Sequence, residues 1–176
     1  MNVILVMVQS VNGKITKGSS PNIYTWTSKE DQDFFFSLLQ KHNLTVMGNT
    51  TYQASKGRFK LSDKRLRIIL TRHPESYEAE HIPGKIEFTN ATPVELLASL
   101  EKRGYKQLLL VGGGEMNTLF LRENLVDEVY LSVEPLVFGA GKDVFATGDA
   151  EASLQLLSVK QLNRKGTLLL HYRLDK

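Results

Sequence analysis

Short runs of apolar, β-branched or leucine-rich residues recur along the chain at Asn2–Val8, Leu44–Met47, Leu66–Leu70, Leu108–Val111 and Glu128–Val133. Each is bounded by polar or turn-forming residues, which predicts strands. Between them the apolar positions recur at helical spacing over Lys29–Lys41, Thr51–Ser55, Val94–Arg103 and Met116–Glu123. Thr92-Pro93-Val94-Glu95 adds a capping box with proline at the first helical position.

Strands that alternate with helices imply βαβ units, and hence a largely parallel sheet covered on both faces. The ending differs. Leu154–Leu162 and Thr167–Leu174 are strand-like runs joined by Asn163-Arg164-Lys165-Gly166, a hairpin signature that predicts an antiparallel pair at one sheet edge. No repeat, low-complexity tract or linker interrupts the 176 residues, so one domain is expected. Two segments are long and polar for simple connections. Ser10–Thr27 holds the turn signals Asn12-Gly13, Gly18-Ser19-Ser20 and Pro21-Asn22, and is expected to form a lid over a cleft. Phe138-Gly139-Ala140-Gly141-Lys142 either approaches a ligand or turns the chain.

Composition narrows the chemistry. Cysteine is absent, which excludes disulfides, thiol nucleophiles and cysteine-ligated metals, so redox work needs a borrowed cofactor. The apolar start MNVILVMVQS lacks a basic leader and a cleavage site and reads as a strand, and no stretch approaches the roughly twenty apolar residues of a membrane span. A soluble, cytoplasmic protein without a membrane partner is expected. Lys and Arg total 22 against 19 Asp and Glu, and their scatter favours a phosphate-bearing small molecule over nucleic acid. His42, His73, His81 and His171 show no metal-ligand spacing, so no metal is expected.

The strongest local signal is Leu108-Leu109-Leu110-Val111-Gly112-Gly113-Gly114-Glu115-Met116, a strand, a triple glycine and a helix. Glycines admit a pyrophosphate close to the backbone, and the helix start offers unpaired N–H groups and the positive end of its dipole. The competing reading is a tight strand-to-helix turn. The spacing is not the G-x-G-x-x-G of ordinary dinucleotide-binding domains. A second junction, Val46-Met47-Gly48-Asn49-Thr50-Thr51-Tyr52, can hold more of a phosphate chain, or Asn49 or Thr50 can merely cap a helix. A third strand ends in Ile69-Leu70-Thr71-Arg72, where Arg72 can pair a 2′-phosphate or stand as a solvated charge.

These junctions, together with Ser10 to Ile15, Trp26, Val126-Asp127-Glu128 and Pro135 to Lys142, resemble in order and spacing dihydrofolate reductase and its relatives, including the reductase half of the riboflavin-biosynthesis deaminase-reductase. The resemblance implies an α/β fold, a three-layer α/β/α sandwich around a mixed, mainly parallel sheet of about eight strands. It implies NADPH across the carboxyl ends of the strands and hydride transfer to a pteridine- or pyrimidine-type substrate. Val8, Ile15, Gly48, Asn49, Thr50, Thr51, Leu70, Thr71, Arg72, Val111, Gly112, Gly113, Gly114, Glu115 and Met116 would contact the cofactor, with a cis peptide between Gly112 and Gly113. Asp31, four positions before Phe35 on one helical face, would be the catalytic acid, and Trp26, Phe35 and Ser132 would complete the substrate side. Ser28-x-x-Asp31 also reads as a capping box, Trp26 as core and Ser132 as an ordinary strand hydroxyl.

Some features depart from either branch. Gly112 replaces the acid that riboflavin-side reductases carry there, and the deaminase half is missing. Asn12-Gly13-Lys14-Ile15 and Phe138 to Lys142 look more like that branch than like a housekeeping dihydrofolate reductase. Asn49 stands where many relatives have arginine, which leaves NADPH preference to Arg72. The alternative is a nucleotide-binding protein of the same fold that has lost catalysis, and a homodimer follows by analogy with riboflavin-side relatives.

Overall fold

The computed structural model describes residues 1–58 and 60–176. In chain order the elements are β1 (Asn2–Ser10), α1 (Lys29–Lys41), β2 (Leu44–Gly48), α2 (Asn49–Ser55), β3 (Leu66–Leu70), β4 (Ile86–Thr89), α3 (Pro93–Lys102), β5 (Gln107–Leu110), α4 (Gly114–Arg122), β6 (Glu128–Glu134), β7 (Leu154–Gln161) and β8 (Leu168–Leu174), with short 3-10 helices at Ile23–Thr25 and Pro74–Tyr77. The strands form one eight-stranded sheet in the order β4-β3-β2-β5-β1-β6-β8-β7. Pairing is parallel from β4 through β6, and β8 and β7 add antiparallel.

Side-chain alternation along the central strands feeds two cores. Val3, Leu5, Val46, Ile68, Leu108 and Leu110 point to one face, where Leu96, Leu97 and Leu100 of α3 and Phe120 of α4 pack on them. Ile4, Val6 and Leu109 point to the other face and meet Leu38 of α1, while Met47 and Ile69 meet Tyr52 of α2. Because both faces are covered, these strands read as unbroken apolar runs. Burying one such leucine is worth about 1.5–3 kcal/mol, which makes the central strands the most strongly held part of the fold.

Local signals set the ends of the elements. Ser28 caps α1 by accepting the Asp31 N–H at 3.3 Å. The Thr92 box is complete, with the Glu95 N–H to Thr92 Oγ1 at 3.3 Å and the Thr92 N–H to Glu95 at 2.9 Å. In the final hairpin, Asn163 Oδ1 accepts the N–H of Lys165 at 3.0 Å and of Thr167 at 3.2 Å, and Gly166 takes a φ of +98°. Several elements differ from expectation: β1 runs on to Ser10, and α2 begins at Asn49 rather than Thr51. β4 was missed because it has four residues, and only Ile86 and Phe88 turn inward while Glu87 pairs outward with Arg103 at 2.8 Å. α4 begins at Gly114 rather than Met116, since the last of the three glycines enters the helix and Gly113 stands at its cap.

The connections after β2 and β5, which are neighbours in the sheet, leave for opposite faces, α2 on one side and α4 on the other. That reversal opens a crevice at the carboxyl ends of the strands, where open α/β sheets bind ligands.

Candidate active site

The crevice is a cleft of about 1410 Å³, and the three strand-to-helix junctions converge on it: Gly48, Thr71 and Gly113 all line its wall. So do Val8, Ile15, Asn49, Thr50, Thr51, Leu70, Arg72, Val111, Gly114, Glu115 and Met116, and, from α1, Asp31 and Phe35. Of the residues singled out in the sequence, Trp26, Gly112 and Ser132 stand behind the wall rather than in it.

At the glycine end, the Gly48 N–H donates to the Gly112 carbonyl at 2.9 Å, which ties β2 to the turn after β5. The Gly112–Gly113 peptide is cis and Gly112 has a φ of +90°. A Cβ on Gly114 would lie 2.4 Å from the Asp143 carbonyl oxygen, so the 143–146 segment passes over the first turn of α4 at a distance that admits only glycine. Asn117 Nδ2 and Thr118 Oγ1 hold that segment, the first donating to the Val144 carbonyl at 2.7 Å and the second accepting the Ala146 N–H at 2.8 Å. Gly113 gives α4 no side-chain cap, and a helix start leaves its first N–H groups without intrahelical partners. Asn49 Oδ1 is likewise buried with no partner. The free N–H groups at the start of α4, with the hydroxyls of Thr50 and Thr51, are donors that suit a phosphorylated ligand, whereas Asn49 Oδ1 is an acceptor and suits a ligand N–H or O–H instead.

The Ser10–Thr27 segment closes one side of the cleft, with Ile15, Thr16, Asn22, Ile23 and Tyr24 in the wall. It is stitched to the segment after β6: Val11 N–H to the Leu136 carbonyl at 2.8 Å, Ile15 N–H to Lys142 at 2.8 Å, and Asn12 bonded in both directions to the Phe138 backbone. Gly141 is explained by this clasp, since a Cβ there would strike the Thr16 carbonyl. Trp26 packs edge-on against Phe138, with ring centres 5.2 Å apart, and its Nε1 is buried without a partner.

Asp31 is 6% exposed. Burial pushes its carboxyl up to about 6, with the Ser132 hydrogen bond opposing and the charge of Glu134 adding to the rise. A carboxyl held in that range can be protonated near neutrality while facing the cleft.

Sequence reasoning missed the opposite end of the same cleft, lined by Thr45, Arg58, Lys60, Arg65 and Arg67. Arg67 is 4% exposed and donates to the Lys60 carbonyl at 3.1 Å. Arg65 donates to the carbonyls of Leu39 and His42, and Arg58 lies over the Tyr24 ring. Burial depresses the pKa of both Arg65 and Arg67, and in Arg67 the nearby Arg65 charge adds to the effect. The cations in ion pairs are others, including Lys14, Lys56, Lys85, Arg103 and Arg122, so among the described residues Arg58, Lys60 and Arg65 have no carboxylate partner. The signal available in the sequence was Arg67 itself, a charge inside the otherwise apolar strand Leu66-Arg67-Ile68-Ile69-Leu70.

Residues 1–168 match the RibD C-terminal domain family. The chain belongs to that family. Among its relatives, the uncharacterized protein YwjB of Bacillus subtilis is 26% identical over 175 residues, covering 96% of this chain and 95% of that protein. A 2,5-diamino-6-ribosylamino-4(3H)-pyrimidinone 5′-phosphate reductase of Archaeoglobus fulgidus is 31% identical over 71 residues, 40% of this chain and 32% of that enzyme. In fold, the chain superposes on the crystal structure of the Thermotoga maritima diaminohydroxyphosphoribosylaminopyrimidine deaminase/5-amino-6-(5-phosphoribosylamino)uracil reductase with a TM-score of 0.78 at 19% identity, covering 99% of this chain and 56% of that one. The RibD C-terminal domain architecture, pyrimidine-reductase-like and akin to dihydrofolate reductase, is thus the fold observed here. No helix among the described residues is long and apolar enough to cross a membrane.

Proposed function

We propose that this RibD C-terminal domain protein is an NADPH-dependent reductase that adds a hydride and a proton across a C=N bond of a pyrimidine- or pteridine-type compound. The observation that carries the reading is a single cleft joining the glycine-lined strand ends to a buried carboxyl, Asp31. Gly113, Gly114, Thr50 and Thr51 would hold the pyrophosphate of NADPH, and Thr71 and Arg72 its adenosine end. The nicotinamide supplies the hydride when bound. Asp31 would donate the proton next to the carbon that is reduced and regain it from solvent, while Ser132 orients its carboxyl. The clasped 10–20 segment excludes water from the reacting end.

The basic end favours a substrate with an anionic tail on the riboflavin side of the family. Arg58, Lys60 and Arg65 would bind a phosphate with charge-assisted hydrogen bonds, and the relative from Archaeoglobus fulgidus is named for a 5′-phosphate compound. Two assays of NADPH oxidation, one with the ribosylamino-pyrimidine 5′-phosphate and one with dihydrofolate, test the reading alongside Asp31→Asn. Turnover with the phosphorylated pyrimidine, lowered about 100-fold or more by Asp31→Asn with NADPH affinity retained, is the expected result. NADPH binding without oxidation in either assay favours the alternative of a binding protein that has lost catalysis.

A homodimer is part of the same proposal. All eight residues of the edge strand β7 are exposed, including Leu154, Leu156, Leu157 and Val159 at 43–53%. A second copy related by a two-fold axis presents the same strand antiparallel, which would satisfy the open edge and cover these aliphatic side chains together.

A further inference from the structure

Glu134, the last residue of β6, is 3% exposed and pairs with no cation among the described residues. Its oxygens are nonetheless occupied: Oε1 accepts the Ser28 N–H at 2.7 Å and Oε2 accepts the Thr167 hydroxyl at 2.7 Å. Ser28 is the cap of α1, whose Oγ accepts the Asp31 N–H. Thr167 precedes β8 and is held by Asn163, which donates to Thr167 Oγ1 at 2.8 Å and to Glu30 on α1 at 3.3 Å. One buried carboxylate therefore ties the first turn of α1, the end of β6 and the β7–β8 turn together. Burying a carboxylate costs several kcal/mol, and a well-packed apolar side chain would hold these elements as firmly. The charge has a further use at this place, beside the acid that faces the cleft.

We propose that Glu134 is a positioning residue for the reaction, anchoring the first turn of α1 so that Asp31 meets the substrate and setting a fixed negative charge behind it. The inference rests on Asp31 acting as the proton donor. Asp31 is faced by Ser132 and Glu134 from β6, and its own helix carries Lys29, Glu30 and Asp33, of which Lys29 and Asp33 pair with each other. Burial is the main cause of the raised Asp31 carboxyl, and a like charge next to it disfavours ionisation further, so Glu134 adds to the protonation of the donor.

Glu134→Gln preserves an acceptor for Ser28 and a polar partner for Thr167 while removing the charge. Titration of the Asp31 carboxyl by ¹³C NMR in the cofactor-free full chain is expected to move down by on the order of one pH unit, and the falling limb of kcat with it, at unchanged KM for NADPH. An Asp31 midpoint that stays at the wild-type value overturns the role of the charge. Thr167→Val keeps the charge and cuts one tie. A fall in kcat of about tenfold with the Asp31 midpoint and KM for NADPH retained is expected, since small misplacements of a catalytic group cost at least that much; wild-type kcat overturns the anchoring. Should Glu134→Gln not fold, Glu134→Asp, which keeps the charge and shortens the reach, is expected to lower kcat as Thr167→Val does, and wild-type kcat in it counts against the anchoring equally. Asp31→Asn separates the two levels. If it retains turnover, Asp31 is not the proton donor and the inference falls with that role; if wild type oxidises NADPH with neither substrate, the reductase reading itself fails; if Asp31→Asn loses turnover while Glu134→Gln and Thr167→Val behave as wild type, only the inference about Glu134 fails.

Discussion

Asp31, in the first turn of α1, shares a side-chain hydrogen bond with Ser132 in β6. Ser132 is opposite Val8 in the β1–β6 ladder, and Val8 lines the cleft, so this contact places the acid at the strand end where the nicotinamide of the proposed cofactor would lie. Its consequences can be measured without knowing the substrate.

The carboxyl of Asp31 rises from the ordinary 3.8 to about 6 on folding, chiefly through burial. The folded chain then holds this proton more tightly than the unfolded chain does, so the contribution to stability is complete at low pH and is lost as pH rises through about 6. At neutral pH the ionised group costs on the order of 2–3 kcal/mol. Asp31→Asn is therefore expected to be more stable than wild type in urea unfolding near neutral pH by up to that amount, with the advantage shrinking in acid. Equal stabilities at neutral pH would mean that the carboxyl is not desolvated.

The passage of the 143–146 segment over α4 makes Gly114 a steric prediction. Gly114→Ala would bring a Cβ to 2.4 Å from a backbone oxygen, and overpacking of that kind costs about 1–3 kcal/mol, more than alanine gains as a helix former. A Cβ on Gly139 meets nothing within 4 Å, so Gly139→Ala serves as the control, expected to stay within about 0.5 kcal/mol of wild type in thermal unfolding.

Arg65 borders the basic end of the cleft and has no carboxylate partner among the described residues. Arg65→Met is expected to raise KM for a phosphorylated pyrimidine roughly 10- to 100-fold, the worth of a charge-assisted hydrogen bond, while leaving KM for NADPH unchanged. Steady-state kinetics with the two substrates varied in turn reads both values. An equal rise in both would place Arg65 in the fold rather than at the substrate.

The open edge of β7 gives a prediction about assembly. Leu156→Lys combined with Val159→Lys puts two charges among the exposed aliphatic side chains of that strand. Sedimentation analysis is expected to show a dimer for the wild type and a monomer for the double variant. A wild-type monomer at micromolar concentration would remove the dimer from the proposal.

Most of the central sheet was legible because its information is local. Leu66–Leu70 and Lys29–Lys41 have the bounds expected from sequence, and the capping box at Thr92 is complete. Signals faded where a short element borrowed its identity from neighbours. β4 offers two inward side chains and becomes a strand because β3 supplies its hydrogen-bond partners. The glycine-rich 138–142 stretch left a ligand role open; it clasps the 10–18 loop, and its Lys142 also lines the cleft. Likewise Arg65 and Arg67 carry no local motif, and only the tertiary structure brings them into the lining of the cleft.

By itself the sequence determined the alternation of strands and helices, the antiparallel ending and the glycine junctions, because hydrophobic period, capping and turn chemistry act over a few residues. Tertiary structure alone decided that these junctions share one cleft, that Asp31 is desolvated, and that Glu134 and Thr167 stand behind it. Those are distances between residues far apart in the chain, and they depend on strand order and on which face each connection crosses, quantities that no local pattern carries.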